Sequence, residues 1–465
     1  MKYILKIEKN INTTSKTKVI ILLFIIALAI RIISASIAYR SNIMAGFGDD
    51  IGRMQYALKV LEEGPFVTNI ENIHALKPEA KRAPGLPWIM AVTILFFGNS
   101  WLPIFLLNAL IGSLTCVLIF LICEEFTTRS NSFLAGLWGA FYVSYIRTTA
   151  SAGNEVWASF LVVLIIFTII KLLVNYNALI NKYMLLLVST FALLIHIDER
   201  YLAYFLYIFL ILLFLIDNDL KNSLKKALFF AITVLVLMVP WLVRNYIVYD
   251  NLVILTTRTT LITKRFINYD DNLIFKPTTT NYYLTESQID SVINGLKTKF
   301  NYGGEIDPLQ VAAMKDGHTP HKFSKFEAHW SRFKILWQPI HLKGFYRMSG
   351  FNYEGKWSLR HNLSIGLSYG LLIPFLIIGL LALYQKYKKI SVLLISVLIY
   401  HTVIHVLFVP QTRFRYRIPV DSVVIILGVY GMLISYQYIK KRVSDKNVDD
   451  ISSLQKNINM PSSPS

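Results

Sequence analysis

The stretch WLPIFLLNALIGSLTCVLIFLI, residues 101–122, contains no charged side chain. A helix needs about 20 mostly apolar residues to cross the hydrocarbon core of a bilayer. The full chain of 465 residues follows the same pattern, with 54% hydrophobic and 16% charged residues. Soluble proteins carry about 25% charged residues, so the composition excludes a soluble enzyme, a disordered chain and a disulfide-stapled secreted domain. The sequence predicts an all-α polytopic membrane protein.

Nine further stretches resemble residues 101–122 in length and composition. A shorter apolar stretch, residues 86–98, lies between turn signals and predicts an interfacial or re-entrant helix, with a tilted span as the alternative. In total we predict about ten membrane spans, at 19–39, 101–122, 132–150, 156–173, 183–198, 201–217, 227–247, 363–384, 390–409 and 417–438.

Basic residues indicate which side of the membrane each loop faces. Lysines and arginines are concentrated in residues 1–18, in the short loops near 221–226 and 386–389, and after the last span. With ten spans these segments share one side, which the positive-inside rule makes cytoplasmic. The opposite, outer side then receives the two longest loops, residues 40–100 and 248–362.

The predicted spans divide the chain into five segments. The apolar run after the basic N-terminal residues resembles a signal peptide, but we expect an uncleaved anchor because the loop that follows it holds candidate functional residues. The polar C-terminal tail is expected to be disordered. The segments are a cytoplasmic tail at 1–18, a transmembrane catalytic module at 19–247 with the first outer loop at 40–100, an extracytoplasmic segment at 248–362 that is long enough for a small helical subdomain, C-terminal transmembrane helices at 363–438 and a cytoplasmic tail at 439–465.

The charge balance is strongly basic. Lysine and arginine number 47 and aspartate and glutamate number 28, which gives a formal net charge of +19. In a membrane protein this excess indicates cytoplasmic loops or contact with anionic membrane lipids. No zinc-finger, helix-turn-helix or RNA-binding signature is present, so we expect no nucleic-acid partner.

Two adjacent carboxylates, Asp49 and Asp50, follow the first predicted span and precede a helical pattern. Aspartate is common at helix N-caps, so one interpretation is a cap. The other is functional, because a carboxylate at the mouth of a membrane cavity can act as a general base or help to hold a metal. Glu155 opens the fourth predicted span and can cap that helix or join the same cavity.

Three basic clusters are candidates for binding a phosphate. KRAPGLPW, residues 81–88, places Lys81 and Arg82 before the short apolar helix, either as an interfacial anchor or as a phosphate clamp. PWLVRNY, residues 240–246, ends a span with Arg244 at the outer face, which is a weak signal in isolation.

The third cluster, QTRFRYRIP at residues 411–419, places Arg413, Arg415 and Arg417 on the outer side, against the positive-inside trend. Guanidinium forks match phosphate oxygens, and a short extended stretch would point all three arginines the same way. The alternative is general contact with anionic lipid of the outer leaflet.

Several other polar residues lie within or beside predicted spans. Arg31 lies inside the first span and either snorkels outward or faces a polar cavity. The cluster around Asp198 and Arg200 could hold a metal, although its spacing matches no standard site. His401 and His405 are four residues apart on one helix without an intervening metalloprotease glutamate, which favours histidines that pack in the core.

Taken together, these stretches resemble the GT-C superfamily of integral-membrane glycosyltransferases. The nearest branch contains the protein O-mannosyltransferases and the bacterial aminoarabinose transferase of lipid A. The matching stretches occur in the family's order and are GDD at 48–50 with Gly64, RAPGLP at 82–87, FGNS at 97–100, PWLVRNY at 240–246 and RYRIP at 415–419.

The resemblance implies many transmembrane helices, interfacial helices in the first outer loop and a site at the outer membrane face that uses a polyprenyl-phosphate sugar. The family's essential acidic residue maps onto Asp49, with Asp50 as its neighbour, and a second acidic residue resembles Glu155. The aminoarabinose branch has a metal-binding glutamate where this sequence has Lys81. This difference argues against that metal site and against an aminoarabinose substrate. A divalent metal stays an open alternative, and no cofactor or metal ligand is assigned.

The sequence thus predicts a glycosyltransferase that moves a hexosyl or pentosyl group from a polyprenyl-phosphate donor to a lipid, glycan or protein acceptor. Arg413, Arg415, Arg417, Arg244, Lys81 and Arg82 are the candidates for binding the donor phosphate. The expected location is a bacterial inner membrane, with the site on the extracytoplasmic side. The alternative function is a transporter or flippase of polyprenyl-linked sugars, which such arginines would also suit.

Overall fold

Helices make up nearly all of the structure that is described. The computed structural model describes residues 10–40, 47–66, 71–72, 75–78, 82–174, 179, 181–249, 252–256, 273–275, 320–322, 325–339, 359–409 and 414–458. The first helices are α1 (Lys16–Arg40), α2 (Phe47–Glu63), α3 (Gly85–Phe97), α4 (Trp101–Cys123), α5 (Arg129–Phe141), α6 (Val143–Thr149), α7 (Glu155–Val174) and α8 (Lys182–Ile197). The remaining helices are α9 (Tyr204–Phe214), α10 (Leu220–Tyr249), α11 (Lys325–Trp337), α12 (Leu359–Ser368), α13 (Ile373–Lys386), α14 (Lys388–Val403) and α15 (Asp421–Ile458).

Shorter elements connect these helices. Strand β1 (Glu71–Asn72) pairs antiparallel with β2 (Ala75–Pro78), and β3 (Leu273–Phe275) pairs antiparallel with β4 (Pro320–Lys322). One π-helical turn, Ile404–Phe408, extends α14. Three 3₁₀-helices lie at Glu199–Ala203, Gly370–Leu372 and Phe414–Val420. We call Phe414–Val420 the arginine segment, because it carries Arg415 and Arg417.

The prediction of an all-α polytopic membrane protein is confirmed. Seven helices among the described residues are long and apolar enough to cross a membrane, and α3 and α8 are shorter apolar helices. The seven are Lys16–Arg40, Trp101–Cys123, Glu155–Val174, Leu220–Val248, Asn362–Lys386, Lys388–Phe408 and Phe414–Arg442. The count of ten spans therefore stays a prediction.

The clearest departure from the predicted spans is at residues 132–150. The structure divides this stretch into α5 and α6, because Tyr142 between them has an extended backbone, with φ −67° and ψ 113°. An extended residue interrupts the helical hydrogen-bond ladder. Neither α5 nor α6 is long enough to cross a bilayer by itself.

The apolar spans of α4, α7 and α15 form the centre of the bundle and are mostly buried, whereas those of α1 and α13 bury only a minority of their residues. Helix α4 packs against α1, α5 and α7. A helix that is apolar on all sides can be buried in this way without exposing polar groups.

Helices α13 and α15 cross at very short range because glycines face each other. A Cβ atom at Gly379 would lie 2.0 Å from the carbonyl oxygen of Leu427, and one at Gly431 would lie 2.1 Å from that of Phe375. Both obstacles are backbone atoms and cannot rotate away. Small residues allow such close approach between membrane helices.

We expect Gly379→Ala to destabilise the protein by about 1–3 kcal/mol, because the helices must separate to admit the methyl group. Thermal unfolding of the detergent-solubilised protein, followed by size-exclusion chromatography, measures the effect. Leu381→Ala is the matched control, since Leu381 lies on the same helix and is 59% exposed. Equal melting temperatures for Gly379→Ala and the wild type would show that the crossing can relax freely.

Arg31 is fully buried and neither snorkels nor faces an open cavity. Its guanidinium donates to the carbonyl oxygens of Ala27 at 3.1 Å and Gly139 at 3.2 Å, and to the Cys116 Sγ at 3.2 Å. Backbone carbonyls thus bind the two terminal nitrogens of an intramembrane cation, whereas its Nε has no hydrogen-bond partner among the described residues. Its role is to join α1 to α4 and α5.

Several predicted functional residues meet at one end of the bundle. The start of α7, the end of α8 and the start of α15 lie there together with the arginine segment, which packs against α7 and α14. We call this region the site end.

Candidate functional site

The loop between α6 and α7, residues 150–154, organises the site end. Asn108 on α4 donates through Nδ2 to the carbonyl oxygens of Ser151 at 2.7 Å and Thr149 at 3.3 Å. Its Oδ1 accepts a hydrogen bond of 3.1 Å from Trp157 Nε1. A buried amide with partners on both sides holds its surroundings in one arrangement, so this loop is a fixed platform.

Asp50 faces this platform from α2. Its side chain is 2% exposed, and its Oδ2 accepts from the Ser151 hydroxyl at 3.4 Å. Arg53, one turn later, lies 3.5 Å from Asp50 Oδ1 and donates to the carbonyl oxygen of Ala152 at 3.0 Å. Because α2 begins at Phe47, Asp50 lies inside the helix and does not cap its N-terminus. It links α2 to the loop at residues 150–154.

Glu155 forms the second acidic position. Its Oε1 lies 3.3 Å from Arg415 Nε, and the two side chains are 7% and 27% exposed. A Cβ atom at Gly153 would lie 2.3 Å from Glu155 Oε2. The loop therefore needs a glycine there to let the carboxylate turn toward the arginine segment.

A third ion pair, between Asp198 and Arg200, lies in the turn after α8. Arg200 Nε donates to Asp198 Oδ1 at 2.8 Å, and its Nη2 also contacts the carboxylate. Burial raises the pKa of the Asp198 carboxyl, but the Arg200 and Arg53 guanidiniums outweigh burial and hold this pKa below its ordinary value. The Arg200 guanidinium also stacks 3.9 Å from the centre of the Tyr416 ring, which links this pair to the arginine segment.

The expectation that the arginine segment is extended is wrong. The chain forms a 3₁₀-helix there, so successive side chains point in different directions. Arg417 turns inward, where it is 2% exposed and donates to Asp421 Oδ1 at 2.7 Å and to the Leu336 carbonyl oxygen at 3.1 Å. Its guanidinium lies 3.4 Å from the centre of the Tyr369 ring. Arg415 and Arg417 therefore do not converge on one ligand in this structure.

Arg244 lies in a different place, in the wall of an apolar cavity of about 420 Å³ that is wide open on one side. Its guanidinium is 4.8 Å from the centre of the Trp241 ring and donates to Asn245 Oδ1 at 2.9 Å. Asn245 is itself fixed, since its Nδ2 donates to the Val253 carbonyl oxygen at 2.8 Å. The cavity is lined by Phe66, Pro240, Val243, Arg244, Ile247 and Val248.

Arg82 and Trp88 connect the residues after α2 to this region. The Arg82 guanidinium packs so closely on α2 that a Cβ atom at Gly52 would lie 1.9 Å from Arg82 Nη1. Trp88 donates to the Pro65 carbonyl oxygen at 2.9 Å and meets Trp241 edge-on with ring centres 5.6 Å apart. Arg82 thus contacts α2 at Gly52, and Trp88 contacts Trp241 and Pro65, which are sequence neighbours of the cavity residues Pro240 and Phe66.

The described carboxylates do not form a metal site as they stand. No group of three or more His, Cys, Asp or Glu side chains converges among the residues that the structure covers. Asp50, Glu155 and Asp198 each already contact a guanidinium. Carboxylates that hold a divalent cation direct their oxygens to the metal, whereas these three carboxylates face guanidinium groups.

Three predicted site residues fall outside what is described, namely Lys81, Arg413 and the side chain of Asp49. Of the others, the structure gathers Asp50, Glu155 and Arg415 around one loop and places Arg244 at the cavity. Sequence reasoning missed Arg53 and assigned Arg200 only to a conceivable metal site. The i, i+3 spacing from Asp50 to Arg53 was the available signal for the first of these.

Residues 81–243 match the protein family described as dolichyl-phosphate-mannose-protein mannosyltransferase. No curated protein sequence matches the chain. Among solved structures, the oligosaccharyltransferase of Archaeoglobus fulgidus in its apo form aligns with a TM-score of 0.52 at 11% identity, covering 92% of this chain and 52% of that one. This chain therefore spans about half the length of the archaeal protein. The likeness shows a shared fold.

ArnT from Cupriavidus metallidurans bound to undecaprenyl phosphate also aligns, with a TM-score of 0.42 and 15% identity. That alignment covers 93% of this chain and 80% of ArnT.

Proposed function

We propose that this chain is an integral-membrane glycosyltransferase of the GT-C superfamily and moves a sugar from a polyprenyl-phosphate donor to a lipid, glycan or protein acceptor at the extracytoplasmic face of the membrane. The family matched by residues 81–243 is described by a dolichyl-phosphate sugar, which supports a lipid-phosphate donor. A bacterial inner membrane is the proposed location.

The observation that carries this proposal is the position of Arg244 in the wall of an apolar cavity. A polyprenyl phosphate has an apolar chain and an anionic head, so it requires an apolar surface with a cation at its edge. Arg244 is 5% exposed and its neighbours fix it. A guanidinium held in this way can bind phosphate oxygens through charge-assisted hydrogen bonds.

The proposed reaction breaks the bond between the anomeric carbon of the sugar and a phosphate oxygen, and it joins that carbon to an acceptor oxygen. The electron pair of the broken bond stays on the leaving polyprenyl phosphate, whose negative charge grows in the transition state. Fixed cations stabilise that charge selectively. We assign this role to Arg244 and Arg415, with Arg82, Lys81 and Arg413 as further candidates.

The acceptor determines what Asp49 does. An acceptor hydroxyl loses a proton as it attacks, and Asp49 would take that proton as general base. An acceptor phosphate needs no base, and Asp49 would then orient it. Asp50, through its contacts with Arg53 and Ser151, fixes α2 against the platform loop.

We expect Arg244→Ala to raise the apparent KM for the donor by about ten- to a hundredfold, the loss associated with one charge-assisted hydrogen bond. Arg244→Lys should restore only part of it, because lysine keeps the charge but not the fork. The assay supplies radiolabelled polyprenyl-phosphate sugars and acceptor fractions to the protein in liposomes. Lys225→Ala, an exposed cation at the other end of α10, is the control.

The same liposomes separate the two functions that the sequence left open. Transfer of label to an acceptor supports the glycosyltransferase, whereas label that crosses the bilayer on an unchanged lipid supports the transporter. Wild-type turnover by Arg244→Ala would place the donor phosphate elsewhere.

A further inference from the structure

Two buried histidines contact the arginine segment from α14. His401 lies where α14 passes into the π-helical turn, a geometry that often marks functional positions. Its Nε2 is 2.8 Å from the Tyr416 carbonyl oxygen, and its Nδ1 is 2.5 Å from the Tyr204 hydroxyl. His405 Nδ1 lies 2.9 Å from the His401 carbonyl oxygen, and the two rings are tilted by 32° with centres 4.0 Å apart.

These partners fix the tautomer of His401. A carbonyl oxygen can only accept, so Nε2 must carry the proton that it donates to Tyr416. In a neutral imidazole Nδ1 is then an acceptor, and the Tyr204 hydroxyl must donate to it. The hydroxyl of Tyr204 therefore selects the tautomer that lets His401 hold the arginine segment.

His401 contacts Tyr416, which is the middle one of three consecutive residues that each have a bound partner. Tyr416 is bound through its carbonyl by His401 and through its ring by Arg200. Arg415 before it pairs with Glu155, and Arg417 after it pairs with Asp421. The His401 hydrogen bond holds the backbone between the two arginines, so it sets the direction in which Arg415 leaves that backbone.

We infer that His401, oriented by Tyr204, is a positioning residue that places Arg415 for the donor phosphate. This inference rests on the proposed function, in which Arg415 binds that phosphate. Small displacements of a binding group from its productive geometry reduce rates strongly, so one hydrogen bond to the backbone can control the reaction without touching the substrate.

Four variants test this role by steady-state kinetics. His401→Ala should lower kcat/KM for the donor by about ten- to a hundredfold, and His401→Gln, whose amide can still donate to the Tyr416 carbonyl, should recover most of it. Tyr204→Phe should cost about three- to tenfold through loss of one hydrogen bond. Tyr207→Phe is the matched control on the same helix, because its hydroxyl bonds only to Ser396 among the contacts described. We expect wild-type activity from it.

A double-mutant cycle separates positioning from a general effect on folding. If His401 acts through Arg415, then His401→Ala should change little in an Arg415→Ala background. Independent effects that multiply, or a His401→Gln variant as impaired as His401→Ala at equal melting temperature, would overturn the inference. The same cycle measured for binding of polyprenyl phosphate alone needs no turnover, so it decides the matter even if the wild type transfers no sugar.

Nitrogen NMR of ¹⁵N-histidine-labelled protein tests the geometry independently of any activity. The signals missing from His401→Gln identify His401, and we expect a protonated Nε2 and an accepting Nδ1 whose shift changes in Tyr204→Phe. A protonated Nδ1 at His401 would contradict the inference. Absence of sugar transfer with the expected tautomer and a coupled binding cycle would count against the proposed function alone.

Discussion

Replacing Asp49 with asparagine should reduce sugar transfer by about 10²–10⁴-fold, because the amide cannot accept the proton of an acceptor hydroxyl. Binding of the donor lipid and the melting temperature should stay at wild-type values. Both are measured on the purified protein beside the liposome assay. Asp219→Asn is the matched control, since Asp219 lies at the start of α10, where its carboxylate accepts from the Lys221 backbone amide and asparagine serves equally well.

The neighbouring substitution, Asp50→Asn, should behave differently. Asp50 is buried against Arg53 and Ser151, so loss of its charge weakens a structural contact and should cost about 1–3 kcal/mol of stability. Its activity should fall only as far as its folded fraction does. A stable, inactive Asp50→Asn together with an active Asp49→Asn would show that Asp50, and not Asp49, is the general base.

Alanine substitutions at Arg415 and Arg417 should have different effects on stability and on donor use. Arg417→Ala leaves Asp421 as a buried, unpaired charge, and breaking such a pair costs about 3–5 kcal/mol, so we expect poor expression and a large drop in melting temperature. Arg415, at 27% exposure, should be replaceable by alanine without loss of fold, with donor use weakened about ten- to a hundredfold. Thermal unfolding and the apparent KM for the donor measure the two effects.

A paired replacement checks the structural role of Arg417. Arg417→Met combined with Asp421→Leu removes both charges and should recover much of the stability, since buried ion pairs can often be replaced by apolar pairs. A well-folded Arg417→Ala with the same defect in donor use as Arg415→Ala would instead show that both arginines hold the phosphate.

The sequence predicted the membrane-embedded helices well where an apolar run was uninterrupted. Residues 101–122 correspond to α4, and residues 86–98 correspond to the short helix α3. The stretch 132–150 looked equally continuous, but an extended Tyr142 divides it. Hydropathy records how apolar a segment is and carries no information on a single backbone torsion.

The sequence identified charged residues of the candidate site, but it did not identify the ion pairs that they form. Asp50 belongs to an acidic pair, Glu155 opens a predicted span, and Arg415 lies on the outer side against the positive-inside trend, so the sequence alone marked all three. Their partners depend on which helix ends meet, and no local spacing encodes that. The sequence favours a packing role for His401 because no glutamate lies between it and His405, and its contacts with Tyr204 and Tyr416 come from other elements.

The 3₁₀ geometry of the arginine segment makes the length of this part of the chain as important as its composition. Each residue turns the following side chain by about 120°, and the side chains of Arg415, Tyr416 and Arg417 use that turn to reach Glu155, Arg200 and Asp421. Inserting or deleting one residue before the segment would give each side chain the direction that belongs to its neighbour. A deletion would place Arg417 in the position of Tyr416, against the like charge of Arg200, and Asp421 would lose its cation although every residue type was still present.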